Sequence, residues 1–191
     1  MSRQSGLQFY NIRFVNIVEI DDDNRRAFFK ELCELFRRVS REYIDIFKDR
    51  PILAISPTMA DGELNDFELR CFLLPSDKKE KFSRALKLGS PGLGAAGTTW
   101  RSNHGTVSEI YVDDKSDSLG LARISFHEFM HNKLKMGDEM HNDFDVGFGL
   151  AREQVSSERS IFNRSTAELT QKNAVVMAKA LMENVPQYKG K

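Results

Sequence analysis

The chain has 191 residues, the length of one ordinary domain or a tight pair. With 40% hydrophobic and 29% charged residues it is too apolar for a disordered chain and too interrupted by charge for a membrane span. Its 28 basic and 28 acidic side chains cancel, which removes the electrostatic case for nucleic acid or an anionic membrane as partner.

The first residues carry no continuous apolar run of the kind a secretory signal needs, so the expected location is the cytoplasm, or outside it by export without a conventional signal peptide. From Leu7 to Ile20 the apolar positions are dense and often β-branched and predict a strand. Asp21-Asp22-Asp23-Asn24 offers N-cap candidates, and Phe28, Leu32, Leu35, Phe36 and Val39 recur at helical spacing, predicting an amphipathic helix over 24–48. Residues 51–57 and 67–74 read as strands, 78–81 as a helix fragment and the glycine-rich 89–97 as a mobile loop. Val107 to Val112 is the next strand, a helix follows over 119–136 with Gly137 as its stop, and Ser165-Thr166-Ala167-Glu168 has capping-box spacing for a last helix through Leu181. Cys33 and Cys71 fall in a helix and a strand and are expected to be unpaired thiols.

The chemistry sits in the 119–136 helix. His127-Glu128-Phe129-Met130-His131 is an H-E-x-x-H pattern, and a separation of four places both imidazoles on one helix face, one turn apart, where they can share a metal ion. Neutral imidazoles suit Zn²⁺, and a catalytic zinc takes a third protein ligand and keeps a position for water. Glu128 is then placed to act on that water as general base and to pass the proton to a leaving amine.

These residues resemble the zincin metallopeptidases, in which a mixed sheet with helices precedes an H-E-x-x-H helix and substrate lies along an edge strand. The resemblance implies an α+β fold with an N-terminal helix, an active-site helix and a C-terminal helix. It implies zinc held by His127 and His131, Glu128 as base, and Val107–Val112 as the edge that pairs with an extended peptide. One domain over 1–191 is expected, with sheet and active helix in about 7–137 and the third ligand and last helix in 138–191.

For the third ligand His141 is the leading candidate. Metzincins continue as H-E-x-x-H-x-x-G-x-x-H, whereas here the spacing to Gly137 and His141 is lengthened and neither Met140 nor Met177 supplies a Met-turn. Reach still allows it, since Gly137 would lie roughly 9 Å beyond His131 and four extended residues return roughly 13 Å. The gluzincin alternative is a downstream glutamate, Glu153 or Glu158, although no N-E-x-x-x-D pattern accompanies either; Asp143 and Asp145 are further oxygen candidates that more often solvate a turn.

Other signals carry less. Gly92-Leu93-Gly94-Ala95-Ala96-Gly97 matches G-x-G-x-x-G without the strand before it and helix after it that a dinucleotide site needs, and reads better as the rim of a cleft. His104 reads as an exposed loop histidine, Tyr111 as a half-buried strand residue rather than an oxyanion donor, and Asn163-Arg164-Ser165 as a glycosylation pattern of little weight. The expected function is a zinc metallopeptidase hydrolysing peptide or protein bonds. Its partners would be that substrate and, as a further candidate, an inhibitor or immunity protein, with no nucleic acid and no membrane. The rival readings are a non-catalytic metal-binding or interaction module and a zinc amidase acting on a non-peptide or cell-wall substrate.

Overall fold

The computed structural model describes residues 7–46, 52–59, 69–85, 87–92, 95–102, 105–152 and 168–184. The β-branched run at the start forms β1 (Leu7–Asn16), shorter than the predicted 7–20 because the chain turns where Glu19 adopts a left-handed conformation (φ 57°). Asp21 then caps α1 (Asp22–Ile46), its Oδ1 accepting from the amides of Asp23 at 3.1 Å and Asn24 at 2.9 Å. Those bonds from Asn24 hold the exposed Asp21 carboxyl below the usual carboxylate range.

Strands β2 (Ile52–Met59) and β3 (Leu69–Pro75) lie parallel to β1 on either side of it. Pro57 is tolerated within β2 because, among the described residues, that strand is at the sheet edge and pairs with β1 alone. After α2 (Lys79–Ala85) come β4 (Gly97–Ser102) and β5 (Gly105–Val112). The sheet order is β2-β1-β3-β5-β4, with β4 antiparallel to β5 and the other neighbours parallel, so the fold is α+β on a mixed sheet.

This order corrects the expected edge. Val107–Val112 belongs to β5 and is paired on both sides, while the edge is β4, whose Thr98-Thr99-Trp100 has β-prone chemistry that the glycines before it obscured. Cross-strand partners share a face of the sheet, and one row of them runs Thr99–Ser108–Cys71–Phe14–Met59 from β4 to β2. The row is polar at the β4 end and apolar beyond, and Ser108, Cys71 and Phe14 are buried.

Helix α3 (Ser118–Leu134) packs over the β4–β5 end of the sheet beside α1, and α4 (Gln171–Asn184) packs against both helices. Phe36 of α1 meets Phe129 edge-on at 5.1 Å and Phe126 at 5.2 Å, while Phe14 meets Phe28 edge-on at 5.1 Å. Arg123 of α3 adds a half-buried ion pair with Glu31 of α1 at 3.0 Å. Thirteen of the seventeen α3 residues are buried, so its histidines and glutamate are enclosed by the fold rather than displayed on a surface stripe.

The α3 start agrees with the expected position near 119, whereas the end of α3 and the start of α4 differ. Asp117 caps α3 by accepting from the Gly120 amide, and the helix ends at Leu134, with Lys135 (φ 56°) rather than Gly137 taking the left-handed position. Helix α4 starts later than the 165–168 capping pattern suggests: Thr170 Oγ1 accepts from the Asn173 amide while Asn173 Oδ1 accepts from the Thr170 amide. Residues 165–167 lie outside the described residues, as does Asn163. Among the described residues no helix is long and apolar enough to cross a membrane, and both cysteines are unpaired, Cys71 fully buried and its thiol pushed up by that burial.

Candidate metal centre

The fold brings three imidazoles together. His127 and His131 come from successive turns of α3, and His141 comes from the short 3-10 segment Asp138–Asn142 that follows the reversal at Lys135. Their Nε2 atoms form a nearly equilateral triangle: 3.1 Å between His127 and His131, 3.2 Å between His131 and His141, and 3.3 Å between His141 and His127. Around a tetrahedral zinc with Zn–N of about 2.0–2.1 Å the nitrogens would be about 3.3–3.4 Å apart, so the observed triangle matches that donor set to within a few tenths of an ångström.

The outer ring nitrogens explain why the inner ones converge. His127 Nδ1 donates to the Leu150 carbonyl at 2.5 Å, and His131 Nδ1 to the Met136 carbonyl at 3.0 Å, which fixes both rings with the Nε2 lone pair inward. Two lone pairs facing each other at 3.1 Å repel unless a cation or a donated proton lies between them, and a protonated His141 has only one N–H to offer from its Nε2. Burial, reinforced by the neighbouring His131, holds the His127 pKa down to about 3, so the ring stays neutral at ordinary pH, as metal ligation requires.

His127, His131 and His141 are the group of potential ligands found among the described residues. Asp143 is engaged in its own turn, Oδ1 accepting from the amides of Asp145 at 2.8 Å and Val146 at 2.9 Å, and Asp145 is exposed beside it; neither joins the triangle. Glu153 and Glu158 lie outside the described residues, as does His104.

Glu128 is 4% exposed and its carboxylate reaches the edge strand. Its Oε2 accepts from Thr99 Oγ1 at 2.7 Å, and Gly97 lies so close that a Cβ there would be 2.7 Å from Oε1. Burial pushes the Glu128 pKa up to about 8, against the lowering effect of the Thr99 hydroxyl and with a smaller push from the Asp138 charge. A cavity of about 780 Å³ opens over the imidazoles and Glu128, walled by β4 on one side and by Met136, Asp138 and Asn142 on the other, with Ile124 lining it from α3. Gly92, Ala95, Ala96 and Gly97 also line it.

Tyr111 is not available as an oxyanion donor. It lies on the opposite face of β5, is 2% exposed, and its hydroxyl donates to Glu109 Oε2 at 2.9 Å, an oxygen that also receives Trp100 Nε1 and Ser83 Oγ. Burial pushes the tyrosine's pKa up and keeps it neutral. Sequence reasoning missed Gly97 and Thr99, and with them the two carbonyls that orient the rings. The Thr-Thr-Trp run was the available signal for the strand; nothing local in sequence marks which carbonyl a histidine will find.

No protein-family model matches the chain, and no curated protein matches it.

Proposed function

We propose that this chain is a zinc-dependent peptidase of zincin type, with His127, His131 and His141 as ligands and Glu128 as general base. The observation that carries the reading is the combination of three inward-facing Nε2 atoms with a buried carboxylate one residue away, both opening into one cavity beside an antiparallel edge strand. A bound zinc would supply a water of lowered pKa and a Lewis acid for the scissile carbonyl.

The chain's own residues do the rest. The Glu128 carboxylate takes the proton of the attacking water and returns it to the departing amine. Strand β4 hydrogen-bonds to β5 alone among the described residues, so its outer backbone edge is available to pair with an extended substrate along the cavity wall. A groove bordered by a strand favours a peptide over a compact amide.

The test is to measure zinc stoichiometry and hydrolysis of a peptide library by wild type and Glu128→Gln. Zinc near one per chain in both proteins, with cleavage lost only in the variant, supports the reading. Unchanged cleavage by Glu128→Gln overturns the base, absence of stoichiometric metal overturns the site, and bound zinc without any cleavage favours the non-catalytic module.

A further inference from the structure

We propose that Thr99 on the edge strand is the positioning residue for Glu128, orienting its carboxylate so that one oxygen is occupied and the other is presented for proton transfer. The inference deepens the peptidase reading and rests on it. Thr99 Oγ1 lies 2.7 Å from Glu128 Oε2, 3.0 Å from the Glu128 carbonyl oxygen and 2.8 Å from Ser108 Oγ.

A hydroxyl has one proton to give. Of the three neighbours, the carbonyl and an ionised carboxylate can only accept, and an interior helix carbonyl already receives an amide from the next turn. In the ionised state that a base requires, Oε2 can only accept, so the short contact directs the Thr99 proton to it and leaves the buried Ser108 hydroxyl to donate to Thr99. The result is a directed chain from Ser108 through Thr99 to Glu128. Oε1 makes no hydrogen bond among the described residues and lies over Gly97, where the missing side chain leaves it room.

The arrangement has a mechanical logic. Thr99 is β-branched and stiff at χ1, and it belongs to a strand held by an antiparallel ladder to β5. The H-E-x-x-H helix supplies the carboxylate but a strand 29 positions earlier aims it, and that same strand borders the groove where a peptide would lie. Base and substrate thereby share one rigid reference.

The experiment compares wild type, Thr99→Ser, Thr99→Val and Ser108→Ala for kcat and KM on one cleaved peptide, for zinc content, and for the position of the Glu128 carboxylate in crystals of the zinc-free proteins. Thr99→Val, which keeps the shape and removes the donor, is expected to lower kcat by about ten- to a hundredfold with KM and zinc content changed by less than about twofold. Thr99→Ser should restore most of kcat, Ser108→Ala should fall between, and the carboxylate should swing from its wild-type position in the valine variant alone. A valine variant with wild-type kcat and an unmoved carboxylate overturns the proposal, as does a serine variant as impaired as the valine one. If wild type cleaves nothing, the peptidase reading fails by itself, and the carboxylate position in the crystals still decides whether Thr99 holds Glu128.

Discussion

Gly97 and Glu128 are in contact across the gap between edge strand and helix, so close that a Cβ on the glycine would sit 2.7 Å from Oε1 and 2.8 Å from Cγ. The carboxylate is the more mobile partner, so a methyl group there should displace it before it displaces the strand. Gly97→Ala is expected to lower kcat by roughly tenfold or more, since misplacements of about 1 Å can cost about a hundredfold. Its thermal midpoint and zinc content should stay near wild type. A variant of full activity would show that the base tolerates a shift.

The donor triangle makes a separate expectation about metal. With one ligand on a different segment from the other two, His141→Ala should weaken zinc binding far more than it disturbs α3, and a chelator should lower the thermal midpoint of wild type but not of the variant. At free zinc a hundred times the dissociation constant the bound ion stabilises the folded chain by about 2.7 kcal/mol, which is the scale of the shift to look for in calorimetry. Identical midpoints with and without chelator would argue against the site.

Gly149 sits at φ +56°, and a Cβ there would lie 2.2 Å from the Glu168 carbonyl oxygen. Its neighbour Leu150 provides the carbonyl that orients His127. Gly149→Ala is expected to cost at least about 1–3 kcal/mol in denaturant melts through backbone strain and collision. By disturbing that carbonyl it should also weaken zinc binding by about tenfold or more. Asn173→Leu, which removes the Nδ2 bond to the Val146 carbonyl, should destabilise the same region without altering the left-handed residue.

Much of this was legible from sequence and some was not. The H-E-x-x-H spacing dictates two imidazoles on one helix face whatever the rest of the chain does, and His141 was within reach by chain length alone. The α1 periodicity of Phe28, Leu32, Phe36 and Val39 likewise located its buried face. Strand β4 escaped notice because its six residues begin in a glycine run, and a strand's place in a sheet is decided by pairing with distant residues rather than by its own composition. The end of α3 was misplaced because lysine at φ 56° contradicts the preference for glycine there, which tertiary contacts overrode. The bond from Thr99 to Glu128 joins elements 29 positions apart and has no local signature.

The Asp21 cap yields a pH expectation. The folded-state pKa of Asp21 is depressed, so its stabilising effect is full above the unfolded value near 3.8 and is lost as pH falls through the lower folded value. Asp21→Asn caps nearly as well and does not titrate, so the difference in stability between wild type and variant should shrink toward acid pH and level off above about pH 5. Denaturant midpoints between pH 2 and 7 would measure it, and a difference that does not vary with pH would assign the cap to shape alone.

Among the described residues the cavity lining contains two carboxylates, Glu128 and Asp138, and no lysine or arginine. Asp138 is exposed at the lip opposite β4 and close enough for its charge to act on Glu128. Peptides with lysine or arginine beside the scissile bond are expected to be cleaved better than those with glutamate by about three- to tenfold in kcat/KM at low salt, and Asp138→Lys should reverse the order. Equal rates for both peptide sets would remove Asp138 from specificity.

The three imidazoles are separated by at most fourteen positions of chain, whereas Thr99 and Glu128, which its hydroxyl contacts, are 29 positions apart. Contacts of short separation close early and those of long separation late, an order that pulse-labelled hydrogen exchange during refolding would reveal. On that order the three imidazoles come together before Thr99 reaches the carboxylate. Under the proposed function, completion of the sheet would be the step that aims the base.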